Sequence, residues 1–353
     1  MVTIGVDAHK QLHVAVALDD SGREIGSWSG SNSRKGWKRL SAWALGLGGI
    51  RVWGIEGSGS FGRGLAQELV ESGETVYEVN TRWTALRRRG ARRPGKSDRL
   101  DAHAVAYFVR QEAPRLPRIA ADDPTATLNL LTRERASIQA DAVRFRNQIH
   151  ALLMQLNPQY KARLPNLGTK AAMRALAAYR APDCGPLQQA RAASVRRLAK
   201  RLRLATEQIA ELGEQIKTLT VETGFTPLTR ICGVNLLTAG ALAGILGPGQ
   251  RFASDAALAA YAGVAPLEAS SAGRVRHRLN RGGNRQLNAL LHMITLTQMR
   301  FWPPARSYIE RRVSEGKTQR EARRALKRYL IRAIWQAWKT CASAEENANA
   351  RAA

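Results

Sequence analysis

The sequence predicts an α/β domain followed by a mainly helical remainder. Three observations carry that expectation. Short β-branched runs separated by turn residues crowd residues 2–79. Prolines at positions 114, 117 and 124 then interrupt the chain. Beyond them apolar residues recur at three- and four-residue spacing over long stretches.

The β elements come first. Val2–Val6 is a β-branched run, and Leu12–Leu18 alternates through His13, Val14, Ala15 and Val16. Asp19-Asp20-Ser21-Gly22 supplies a turn, so Glu24–Ser29 returns as a third strand. Trp37–Leu47 has helical spacing. Arg51–Glu56 is a strand that runs into the glycine-rich stretch Gly57–Gly62; Leu65–Glu71 is a helix and Thr75–Val79 a further strand. Arg82–Lys96 is basic and loop-like. Ser97 then offers its hydroxyl as N-cap to a helix reaching about Arg110.

The helical part follows. Leu128–Leu156 and Ala192–Val221 are long amphipathic patterns, the first stopped by Asn157-Pro158. Two such helices suit an antiparallel coiled-coil arm. Ile231–Leu246, Asp255–Tyr261 and Arg285–Met299 read as helices, the last broken at Pro303-Pro304. Glu321–Cys341 is a final helix, and the tail is expected to fray beyond Ala342. This divides the chain into an α/β domain (1–118), coiled-coil helices (119–224), a helical domain (225–345) and a disordered tail (346–353).

Charge narrows the function. Lysine and arginine number 55 against 28 acids, a formal net charge of +27. Solubility alone needs far less imbalance, so the partner is expected to be a polyanion, with nucleic acid the usual case. The cysteines (Cys184, Cys232, Cys341) form no CxxC pair, which argues against a disulfide framework or a zinc site and suits a reducing cytoplasm. The N-terminus reads as a strand rather than a signal peptide, and no apolar run is long enough for a membrane span.

Four acids stand out by position. Asp7 and Glu56 close two strands; Asp98 and Asp101 lie three apart at the start of a helix and share one face. Carboxylates brought together repel one another unless cations neutralise them, and hard oxygen donors favour Mg²⁺ or Mn²⁺. Two such ions clamp a scissile phosphate. Each acid has a plainer reading alone: a strand-end turn for Asp7, a helix cap for Glu56 or Asp98, an arginine partner for Asp101. Their joint placement in one basic α/β domain favours the metal site. The ribonuclease-H-like fold has this layout. Actin-like sugar kinases share the GVD-hairpin opening, but the arginine-rich helical second half argues against them. His9 and His103 flank the quartet in sequence: each is placed to tune the metal site, with a surface hydrogen bond as the plainer reading.

These residues carry a resemblance. GVDAHK (5–10), IEGSGSFG (55–62), KSDRLDAHAVA (96–106), ICGVNLLTAGALAGILG (231–247), FASDAALAAYAGVAP (252–266) and SSAGRVRHRLNRGGNRQLNALL (270–291) resemble the DEDD transposases of the IS110 insertion-sequence family, in the same order along the chain. The resemblance implies a RuvC-like domain, a coiled coil and a transposase domain with a catalytic serine. It implies that DNA is cut and rejoined through a covalent serine–DNA link, assisted by the metal-bound quartet Asp7, Glu56, Asp98 and Asp101. It also implies a noncoding bridge RNA that pairs with target and donor DNA, and dimers that assemble into a tetramer with composite sites. The family serine follows a GxxP element, matched here by Gly263-Val264-Ala265-Pro266. Spacing favours Ser271. The family has serine-glycine where this chain has Ser271-Ala272, so Ser270 stays open.

Nucleic-acid contacts are expected at Arg87, Arg88, Arg89, Arg92, Arg93 and Lys96, before the acidic helix, and at Arg274, Arg276, Arg278, Arg281 and Arg285, after the serine. Trp83 stacks on a base or packs in the core; the C-terminal run Arg320–Arg332 marks a solvated helix face or a further contact. Around Gly233 and Asn235 the chain weakly resembles a helix-hairpin-helix turn, with Asn235 tolerating a left-handed backbone. The competing functions are a metal-dependent RuvC-like nuclease or Holliday-junction resolvase using the quartet alone, and a noncatalytic RNA-binding protein. A nucleoid-associated cytoplasmic location is expected.

Overall fold

The computed structural model describes residues 1–81, 84, 97–164, 166–181, 185–268, 277–278, 280 and 282–352, with side chains described to Cys341 and that of His277 excepted. Strands β1 (Val2–Ala8), β2 (Leu12–Leu18), β3 (Glu24–Ser31), β4 (Arg51–Glu56) and β5 (Thr75–Val79) form one sheet in the order β3-β2-β1-β4-β5. β1, β2 and β3 run antiparallel as a meander, while β1, β4 and β5 are parallel. The sheet is consistent with the RuvC-like domain expected.

Period-two alternation sorts β1 onto two faces. Val2, Ile4, Val6 and Ala8 pack with Leu40 and Ala44 of α1 (Arg34–Gly46) and with Leu65 and Leu69 of α2 (Arg63–Glu71). Full burial of each of these valine, isoleucine and leucine side chains contributes about 1.5–3 kcal/mol. Thr3, Gly5 and Asp7 face the other way, toward α3 (Asp98–Glu112). Gly5 fixes how close that helix comes, because a Cβ there would sit on the Ala106 amide nitrogen and the Ala102 carbonyl oxygen. At its register partner Gly54 a Cβ would meet the Val109 side chain. Ala102 and Ala106 also pack on Val14, Val16 and Leu18 of β2.

The remainder is helical. α4 (Pro124–Leu156) and α6 (Pro186–Glu222) lie against each other, each starting with proline at N1, where a missing N–H costs nothing. α5 (Lys170–Ala177), absent from the sequence reading, packs on them through Ala172 and Leu176. The near ends of the two long helices contribute Leu128 and Ile216 to a core shared with α7 (Leu236–Leu246), α8 (Asp255–Tyr261), α9 (Arg285–Phe301) and α11 (Gln319–Ala352).

Three expectations in this part change. The final helix α11 continues to Ala352, where fraying was expected beyond Ala342. The helix expected from Ile231 starts at Leu236, because Gly233 turns the chain at φ +87° and Asn235 caps the helix, accepting from the Thr238 amide at 2.9 Å. Asn235 itself has φ −100°, so the left-handed position belongs to Gly233. Pro303-Pro304 does more than break a helix: it opens α10 (Pro303–Ser314). Among the described residues no helix is long and apolar enough to cross a membrane.

Candidate functional site

Asp7 and Glu56 are register partners on adjacent parallel strands, so both side chains leave the sheet on the α3 face. Asp7 sits two residues beyond Gly5, and Glu56 two beyond Gly54, at the strand ends toward which the first turn of α3 is laid. Ser97 caps that helix, accepting from the Leu100 amide at 3.2 Å. Asp98 and Asp101 then occupy its first turn, where negative charge is also favoured by the helix dipole. Asp7 and Asp101 are buried; Glu56 and Asp98 are partly exposed.

The electrostatics are those of a site short of positive charge. Burial raises the Asp7 pKa above its ordinary value; His9 lowers it, while the charges of Asp101 and Asp98 raise it further. His9 Nε2 lies 3.1 Å from Asp7 Oδ2 and 3.4 Å from Asp98 Oδ1. One ligand atom from each of Asp7, His9 and Asp98 falls within 4.8 Å of the others, a grouping able to hold a metal ion. The three aspartates together disfavour ionisation of the most buried one, and a hard divalent cation relieves that cost. The donor set therefore fits Mg²⁺ or Mn²⁺, with His9 a nitrogen donor or an orienting partner beside the carboxylates. The sequence places His9 beside the quartet, where it is able to tune the metal site. Its role in bridging to Asp98 depends on the helix being brought back over the strand.

Thr84, also buried, supports Glu56. Its Oγ1 is 2.9 Å from both Glu56 Oε2 and the Thr81 carbonyl oxygen. A hydroxyl has one proton to give, and an ionised carboxylate is the stronger acceptor.

The two halves of the chain meet beside this site. Val79 is the register partner of Glu56, and Asn80, which follows it, donates to the Gly282 carbonyl oxygen at 2.9 Å. Arg251 donates to Glu78 Oε2 at 2.7 Å and lies over the rings of Phe252 and Tyr261. The Arg118 amide donates to the Arg251 carbonyl oxygen at 2.8 Å. Beyond Tyr261 the short strands β6 (Leu267–Glu268) and β7 (His277–Arg278) pair antiparallel. Gly263 passes so close to Gly283 that a Cβ on Gly283 would overlap its backbone.

Ser270 and Ser271 lie between β6 and β7 in sequence but outside the described residues, as do Arg274, Arg276 and Arg281. So do Trp83, Arg87, Arg88, Arg89, Arg92, Arg93 and Lys96. Arg278 is described as exposed on β7, and Arg285 as exposed at the start of α9.

Comparison with known proteins agrees with the geometry. Residues 4–158 match a transposase family of the DEDD IS110 type, and residues 226–310 match the transposase IS116/IS110/IS902 family. The chain is 30% identical to the uncharacterized 43.6 kDa protein of insertion element IS110 from Streptomyces coelicolor, over 71% of this chain and 73% of that one. It is 26% identical to the uncharacterized 44.8 kDa protein of insertion element IS116 from Streptomyces clavuligerus, over 95% and 94% of the two chains. The uncharacterized 42 kDa protein of insertion element IS900 from Mycobacterium paratuberculosis is 25% identical over the same shares. With an acidic cluster seated on the strand ends of an α/β domain and both halves of the chain matched, this protein belongs to the IS110 family of insertion-sequence transposases, enzymes that recombine DNA.

Proposed function

We propose that this transposase cuts and rejoins DNA through a covalent serine–DNA intermediate, assisted by Mg²⁺ at Asp7, Glu56, Asp98 and Asp101 and directed by a structured bridge RNA. The observation that carries the metal half is the register pairing of Asp7 with Glu56 beneath the first turn of α3. When bound there, the cation supplies charge neutralisation at a scissile phosphate. The carboxylates hold it, His9 steadies Asp7 and Asp98, and Thr84 orients Glu56.

The serine half rests on the family resemblance. In this reading the Ser271 hydroxyl gives up its proton, its Oγ–P bond forms, and a bridging P–O bond of the DNA breaks. The released sugar oxygen takes a proton. Rejoining is the same exchange run by a second DNA strand end, which frees Ser271. Arg274, Arg276, Arg278, Arg281 and Arg285 stabilise the phosphate charge, and Arg87, Arg88, Arg89, Arg92, Arg93 and Lys96 hold nucleic-acid backbone. Base specificity belongs to the RNA, so the protein contacts are mainly to backbone. The working unit is a dimer on each DNA, two dimers forming a tetramer. The domains are taken as 1–118, 119–224 and 225–345, with α4 and α6 as a coiled-coil arm and 346–353 as a tail, in a nucleoid-associated enzyme.

Covalent capture tests this. RNA that copurifies with the protein is sequenced and returned with Mg²⁺ and labelled DNA carrying the matching sites. Wild type is expected to yield a denaturation-resistant protein–DNA adduct, which Ser271→Ala loses completely and Asp7→Ala loses at least 100-fold. Cutting and rejoining by Ser271→Ala with Ser270 also replaced would overturn the serine mechanism and leave a quartet-only nuclease or resolvase. Absence of any specific RNA would remove the guided part.

A further inference from the structure

The charge of this protein is not evenly spread. From Ala142 to Thr206 there are thirteen lysines and arginines and a single acid, Asp183. The acids thin out where the chain folds back on itself. Ile149 and Leu153 of α4, Tyr160, Leu164, Leu176 of α5, and Val195, Ala199 and Leu202 of α6 close a core of their own. This stretch is therefore one lobe, the half of the α4–α6 pair remote from Leu128 and Ile216. Its surface charge is almost wholly positive, whereas the other half of α6 carries Glu207, Glu211, Glu214 and Glu222.

The lobe also has a shaped feature. A groove of about 420 Å³ runs between α4 and α6, lined by Gln148, Ala151, Leu152, Ser194, Arg197, Leu198 and Arg201. Arg197 and Arg201 are one helical turn apart, both exposed, and Arg197 Nη2 donates to Ser194 Oγ at 2.9 Å. Among the described residues no acid pairs with Arg197, Lys200 or Arg201, although exposed arginines elsewhere on these helices do find one, as Arg144 does in Asp141 and Arg203 in Glu207. The positive field continues around α4, where burial first, and then Lys161 and Arg146, lower the proton affinity of His150. An isolated run of arginines is usually just a solvated face. Here a folded lobe nearly free of acids presents unpaired guanidinium groups and a Gln148 amide to one groove, with an apolar floor from Leu152 and Leu198.

We propose that this lobe is a second DNA-binding element, holding the phosphate backbone of duplex DNA away from the acidic centre, with Arg197 and Arg201 as its principal contacts. It rests on the reading of the chain as a transposase only for the choice of DNA among polyanions. Its contacts are to backbone and carry no sequence preference.

The test uses the full-length protein and a fluorescently labelled 30-base-pair duplex of arbitrary sequence, with binding followed by anisotropy across a salt series. Arg197→Glu with Arg201→Glu is compared with Lys35→Glu with Arg39→Glu, the same charge change on exposed positions of α1. The expected result is a loss of about tenfold or more for the first pair at 0.1 M salt, a salt slope shallower by about 2, and a loss below about threefold for the second. Arg197→Gln with Arg201→Gln, which avoids introducing acids, is expected to show a smaller loss of the same kind, with an unchanged melting temperature. Equal losses for the two glutamate pairs would overturn the proposal, as would a larger loss on single-stranded RNA than on the duplex. Failure of the wild type to bind any duplex would overturn both this and the DNA reading; normal wild-type binding with an unaffected variant overturns this inference alone.

Discussion

Gly5 on β1 and Gly54 on β4 are register partners, and α3 rests on both. Asp7 and Glu56 follow two residues later on the same face, so the glycine pair sets the distance between the strand-borne acids and the helix-borne ones. Gly5→Ala is expected to push α3 off the sheet at a cost of about 3 kcal/mol, since backbone atoms of Ala102 and Ala106 cannot step aside as a side chain would. Thermal unfolding measures that loss. Mn²⁺ binding, read from the free-ion resonance signal, should weaken in the same variant under conditions where it is still folded. A Gly5→Ala protein with native stability and metal affinity would show that the close approach is unnecessary.

Thr84 gives a cleaner separation of site from scaffold. Thr84→Val removes the hydroxyl 2.9 Å from Glu56 Oε2 while keeping the shape of a buried side chain. Loss of such an orienting partner typically costs about 10–100-fold in metal affinity. The expected outcome is a drop in Mn²⁺ affinity in that range with DNA affinity unchanged. If Mn²⁺ binds Thr84→Val as it binds wild type, Glu56 does not depend on Thr84 for its orientation.

What the sequence made legible, and what it hid, follows the range of the interactions. Ser97 announced itself as an N-cap because capping is local, and Asp98 and Asp101 fell on one face by spacing alone. The pairing of Asp7 with Glu56 is different, because parallel strands meet only through a crossover and nothing near Asp7 names its partner. The contact of His9 with Asp98 was hidden for the same reason: it spans the domain. Pro303-Pro304 was readable as an interruption but equally suits a helix start, which only the packing of Ala305 and Ile309 decides. The acid-poor stretch was in plain view as charge, but only the core joining Leu153 to Val195 makes it one surface.

Acid sensitivity should centre on His13. It is fully buried on β2, and burial lowers its pKa below the ordinary 6.5, against a smaller opposing effect from the Leu12 carbonyl. The unfolded chain therefore binds a proton more readily than the folded one. The stability that His13 contributes as a neutral group is fully present above about pH 6.5 and is lost as pH falls through the lower folded-state value. Wild type should lose more melting temperature than His13→Leu between about pH 7.5 and about pH 5. Parallel pH dependence of the two proteins would assign the acid sensitivity to other groups.

An ion pair between Glu78 and Arg251 spans the junction between the two halves of the chain. Arg251 and Glu78 lie 2.7 Å apart and are largely withdrawn from solvent, and the Arg251 guanidinium is sandwiched near Phe252 and Tyr261. Burial and the charge of Glu78 push the Tyr261 phenol up to about 12, so it stays neutral and accepts from Asn284 at 2.9 Å and Arg251 at 3.3 Å. Removing one partner leaves the other charge buried without compensation, which typically costs about 3–5 kcal/mol. Part of each side chain still reaches water, so Arg251→Met is expected to cost about 3 kcal/mol, and Glu78→Gln somewhat less because its amide still accepts from Arg251. The double variant should cost clearly less than the two single costs together, with a coupling of at least about 1 kcal/mol. Chemical denaturation of the four proteins reads this directly, and strict additivity would mean that Glu78 and Arg251 do not act as a pair. Two transitions in place of one in Arg251→Met would further show that this contact makes the α/β sheet and the helical half unfold together.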